Sequence, residues 1–176
     1  MTTKTRNLAA LAIIVAALFS TTATRGAPLA VDFSGATVFA NGTFNNLGWS
    51  FRVTSSITID GLGIFDLGAP GLNIQHQVGI WDSSNNLLVQ TTVFNGATAV
   101  ASASSLGRWL LEDIAALTLA PGDFIIGAFY VNNDFDFFAA RATGLTVDSH
   151  LTYGAPRASD GASFDIPGVS VLVPPG

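Results

Sequence analysis

The feature that most constrains this chain is the run Phe124 to Val131, eight residues without a charge, directly behind Pro121-Gly122. A charge-free run of that length bounded by turn residues predicts a strand buried on both faces. Ahead of it, Leu117 and Leu119 alternate with Thr118 and Ala120, the period-two mark of a strand with one buried face. Pro121-Gly122 fits a type II turn between them. The expectation is a hairpin at the centre of an all-β domain.

The remainder of the chain supports that class. Leu47, Trp49, Phe51 and Val53 alternate with Gly48, Ser50, Arg52 and Thr54, which places Trp49 in the core by phase. Ile57 to Asp66 changes phase at Gly61, where a β-bulge is expected. Gln77 to Asp82 and Leu87 to Phe94 flank the polar turn Ser83-Ser84-Asn85-Asn86 and read as a hairpin. Arg108 to Leu111 is a strand, and Glu112-Asp113 begins a link towards Leu117. Asn95 to Ser105 and Gly154 to Ser163 read as loops, and Val169 to Val173 as a closing strand. No amphipathic helix of useful length is visible. Ten to twelve short strands at this spacing predict an antiparallel two-sheet β-sandwich, jelly-roll-like.

The first residues have a different character. Lys4 and Arg6 precede an apolar run from Leu8 to Phe19, followed by small and polar residues up to Ala27. That order describes a secretory signal peptide, and the run is short for a bilayer span. The expected organisation is therefore a leader at 1–27 and one domain at 28–176. Without the leader, four arginines and no lysine face all twelve acids, a net charge of −8. Such a domain lacks the clustered cations that nucleic acid requires, and anionic membrane surfaces are disfavoured for the same reason. Cysteine is absent, so the fold stands without disulfides.

Chemistry-bearing patterns are sparse. Asn132, Asn133, Asp134 and Asp136 place four oxygen-bearing side chains within five residues, and hard oxygen ligands suit Ca²⁺. Asn132, Asp134 and Asp136 are the metal candidates, and no other cofactor is indicated. The same residues also favour turns for backbone reasons. Glu112 is the sole glutamate, His76 and His150 are the two histidines, and no serine lies in a Gly-x-Ser-x-Gly context. Neither a carboxylate pair nor a nucleophilic triad is suggested, so the expectation is a non-enzymatic protein. Trp109 beside Arg108, and Trp81 out of phase with Val78 and Ile80, are candidate faces for stacking a sugar. Function is expected in the loops Asn95 to Arg108 and Asn132 to Asp136.

Three groups of residues carry a family resemblance. They are Leu47-Gly48-Trp49-Ser50-Phe51 with Ile57 to Asp66; His76-Gln77-Val78-Gly79-Ile80-Trp81-Asp82 with Leu87-Leu88; and Leu117-x-Leu-x-Pro-Gly-Asp leading into Ile126-Gly127. Over roughly residues 45–132 the chain resembles the secreted β-sandwich domain of bacterial PEP-CTERM (exosortase-sorted) proteins and related jelly-roll domains of unknown function. The resemblance implies export, a cell-surface or extracellular location, and association with exopolysaccharide or biofilm matrix. Members of that family end in a Val-Pro-Glu-Pro-like motif, a hydrophobic helix and a basic tail, whereas this sequence ends Val173-Pro174-Pro175-Gly176. The expected partner is polysaccharide or another matrix component. The alternatives are a matrix protein that self-associates through sheet edges, and a carbohydrate-active hydrolase or lyase.

Overall fold

A computed structural model describes residues 17–18, 29–39, 45–131 and 134–168. The leader reading therefore lies outside the described residues except at 17–18, as do Asn132 and the strand expected at 169–173. Among the described residues the chain forms thirteen strands and no helix. In chain order they are β1 (Ala17–Leu18), β2 (Val31–Asp32), β3 (Gly35–Phe39), β4 (Asn46–Val53), β5 (Ile57–Leu67) and β6 (His76–Asp82). There follow β7 (Leu87–Val93), β8 (Thr98–Ala101), β9 (Gly107–Leu119), β10 (Gly122–Phe129), β11 (Phe138–Thr143), β12 (Thr146–Val147) and β13 (Leu151–Ser159).

Two antiparallel sheets dominate. One runs β1-β5-β9-β8 and the other β13-β4-β10-β6-β7, while β11-β3 and β12-β2 are short separate ladders. Inward side chains of both large sheets form one core, with Leu47, Trp49 and Ile126 from one meeting Ile59, Leu62 and Leu110 from the other. The chain is thus an all-β, sandwich-like fold.

The charge-free run from Phe124 is indeed central, with β10 flanked by β4 and β6. Its expected hairpin partner is not there. β9 pairs with β5 and β8, so Pro121-Gly122 is a corner carrying the chain from one sheet to the other. Gly122 is not among the glycines with positive φ, so the type II turn is not formed either. The physical reason is that both strands find longer partners elsewhere. Gly61 does mark a bulge, and the supposed link after Glu112 is the other side of it. Ile59 faces Leu117 and Gly61 faces Asp113, so β9 runs unbroken through extra residues. The expected loops also shorten, since β8 pairs with β9 inside 95–105 and β13 extends to Ser159.

Beyond β13 the chain crosses the outer face of the five-stranded sheet. Gly127 lies opposite Gly48 on one side and Gly79 on the other, making a row without side chains across three strands. Phe164 and Pro167 settle over that row. A Cβ on Gly127 would come within 2.2 Å of Pro167 Cγ, and one on Gly79 within 2.8 Å of the Phe164 ring. Asn45 and Asn46 donate to the carbonyls of Gly161 and Ser163, and Asp165 N donates to Asn46 Oδ1.

Candidate functional site

One end of the sandwich gathers buried polar groups beneath exposed aromatic ones. Asp66, near the end of β5, is buried. The loop after it doubles back through Gly68, Ala69 and Gly71, all at positive φ, so that Gly71 N donates to both carboxylate oxygens at 3.3 and 3.1 Å. Gly71 has a second reason to lack a side chain, since a Cβ there would meet Asn95 Oδ1 at 1.9 Å. From β9, Arg108 Nε donates to Asp66 Oδ2 at 3.1 Å. The buried carboxylate therefore has its counter-charge.

Asp136 is the second buried carboxylate. It accepts from Asn73 N at 2.9 Å, Asn73 Nδ2 at 3.0 Å, Ile74 N at 3.2 Å and His76 Nε2 at 2.9 Å. Burial by itself would raise its carboxyl, but the His76, Asn73 and Ile74 hydrogen bonds outweigh that and hold it below the usual range. His76 is 0% exposed, and its Nδ1 lies 3.0 Å from the carbonyl oxygen of Phe129. The two ring nitrogens thus bridge the Asp136 carboxylate and the Phe129 carbonyl. The imidazole also packs on Tyr130 at 4.4 Å between centroids. Burial, then Asp134 and Asp136, push the Tyr130 phenol upward, so it stays a neutral hydroxyl.

These bonds stitch the loop 71–74 to the loop 134–137. Asp136 N donates to Asp134 Oδ1 at 2.9 Å, an Asx turn that encloses Phe135. Phe135 has φ 62, a left-handed backbone that a bulky aromatic seldom adopts, and it is 77% exposed. Phe137 is 48% exposed. Between the loops lies a cavity of about 220 Å³. Asp66, Asp136 and Tyr130 line its buried part, and Phe135, Phe137 and Pro70 its open part.

The structure brings Arg108 to this place through Asp66, but not the tryptophans. Trp109 is 1% exposed; its indole N–H donates to Asp32 Oδ1 at 3.0 Å and its ring packs on Phe33 and Phe65. An indole buried this completely cannot stack on a sugar, because no ring surface is left for one to reach. Trp81 does face away from the core, as its phase suggests, yet it is 4% exposed beneath Phe164, 5.1 Å between ring centroids. Asp134 and Asp136 do share one turn, but the polarity is wrong for calcium. Amide and imidazole N–H groups converge on Asp136, where a cation would need oxygens. Among the described residues no three acids or histidines are placed to hold a metal.

Asp66, His76, Phe135 and Phe137 were not singled out by sequence reasoning. A signal for two of them existed: Phe135 and Phe137 alternate with acids in a turn, where an aromatic has no backbone reason to be. No family model, curated protein or solved structure matches the chain.

Proposed function

We propose that this chain is a secreted, non-enzymatic β-sandwich protein that binds polysaccharide in the cell-surface or biofilm matrix, and that the cavity under Phe135 is where it binds. The single observation that supports this most is the pairing of exposed phenylalanines with a buried carboxylate, Asp66, in one small cavity. Sugar rings offer apolar faces to aromatic side chains and hydroxyls to acceptors, and the cavity presents both. The leader-like first residues and the PEP-CTERM resemblance agree with this location. No general acid is poised there, since Asp66 and Asp136 are engaged with Arg108 and His76. Affinity electrophoresis through gels containing neutral polysaccharides tests the reading. Retention that Phe135→Ala reduces is the expected outcome, and free migration through every gel would overturn it.

A second reading, self-association as a structural matrix protein, has its own support. β7 is an outer strand of the five-stranded sheet with no charged residue, and Leu87 and Leu88 on it are exposed. Uncharged edges invite strand pairing. Sedimentation over a wide concentration range distinguishes the two, because a strictly monomeric profile counts against this one.

A further inference from the structure

We propose, building on the polysaccharide reading, that the cavity takes the terminal residue of a neutral glycan and not a span of its interior. Its size is the first ground. Pockets for drug-sized ligands start at roughly 300 Å³, whereas this one measures about 220 Å³, room for a single sugar ring. The stitching of its walls is the second. Asn73 and Ile74 bond directly to Asp136, so the two loops are closed upon each other behind Phe135 and Phe137. A polymer threading through on that side would have to break those bonds, each made to a charged acceptor.

The polar groups select for a neutral end. Asp136 is saturated by its donors, but Asp66 Oδ1 receives only the long 3.3 Å bond from Gly71. A carboxylate oxygen has two acceptor sites, so Asp66 Oδ1 retains one for a sugar hydroxyl. Arg108 already balances the Asp66 charge, which leaves little for a cationic sugar to gain. The net charge of −8 without the leader disfavours a uronate. Phe135 and Phe137, at the mouth, are placed to cover the faces of that one ring.

The test begins with the full chain and whichever neutral polymer among dextran, mixed-linkage β-glucan, mannan and galactan retains it in affinity electrophoresis. Competitors are the methyl glycoside of that polymer's terminal sugar and its oligosaccharides of two to six residues, each at equal molar concentration. Terminal recognition predicts that the methyl glycoside releases the protein and that all lengths compete within about threefold of one another. Phe135→Ala and Asp66→Asn should each raise the concentrations needed by about tenfold. Phe135→Ala alters an exposed side chain, so it reports even if Asp66→Asn fails to fold. Competition that strengthens more than about tenfold with length, with the methyl glycoside inert, would overturn the proposal while leaving polysaccharide binding intact. Absence of retention on all four polymers would overturn both.

Discussion

Replacing Phe135 and Phe137 in turn by alanine and by glycine separates backbone strain from side-chain contact. Both substitutions remove the same ring, so the difference between them isolates the main chain. At an ordinary φ, glycine is about 0.5–1 kcal/mol less stable than alanine, because it loses more freedom on folding. In the left-handed region that order reverses, since a Cβ there costs about 1–2 kcal/mol. Phe135 has φ 62, whereas Phe137 is not among the residues with positive φ. Glycine should therefore exceed alanine by about 0.5–1 kcal/mol at 135. At 137 it should fall short by about 0.5–1 kcal/mol. Urea denaturation, with equal m-values confirming a common unfolded state, resolves a separation of about 1.5 kcal/mol. The corresponding melting shift at 135 is about 2–3 °C upward for glycine over alanine. Both variants at 135 should lose glycan retention together, stability and binding moving in opposite directions for Phe135→Gly. Glycine below alanine at both positions would refute the claim that the Asx turn holds this backbone left-handed.

Gly127→Ala should cost about 1–3 kcal/mol, measured by urea denaturation, because the new methyl has to displace Pro167; an unchanged midpoint would show that the segment over the glycine row is loosely seated. Trp109→Phe should cost about 2 kcal/mol through the lost bond to Asp32 while leaving glycan retention unaltered; selective loss of retention would return that residue to the binding site. Stability should fall in acid. For Asp32 and Asp136, burial raises the carboxyl but hydrogen bonds outweigh it, from Ser102, Ala103 and Trp109 to the first and from His76, Asn73 and Ile74 to the second. Both folded values thus lie below the unfolded value of about 4, so the unfolded chain takes up protons first and stability is lost as pH falls below about 4. Denaturation midpoints that hold or rise from pH 5 to pH 3 would contradict this.

The fold was largely legible because its signals are local. The alternation in β4, the bulge at Gly61 and the β6–β7 hairpin each follow from a few neighbouring residues, and each is found in the structure. The link between β9 and β10 is not legible, for the opposite reason. Leu117 to Val131 looks like a hairpin locally, and only pairing with β5 and β4 far along the chain pulls its halves into different sheets. The site was the least legible part. Asp66, His76 and Asp136 lie up to 70 positions apart in sequence, and singly each is an unremarkable polar residue. Trp109 attracted notice beside a polar loop, but its phase within β9 buries it. Phe135 and Phe137 alone offered a local clue, aromatics where turn chemistry favours small polar residues.

The segment 161–168 has a mechanical consequence. Anchored at one end to Asn45 and Asn46 and resting at Phe164 and Pro167 on β6 and β10, it lies across strands like a batten across planks. An outer strand of a sheet ordinarily frays by itself, since only one ladder holds it. Here β13 leads directly into a crosspiece bearing on the middle of the sheet, so its fraying lifts Phe164 off Trp81 as well. Edge and centre then open as one cooperative unit. Hydrogen exchange should accordingly give the amides of β13 protection approaching that of β10, with Phe164→Ala lowering the former and sparing the latter.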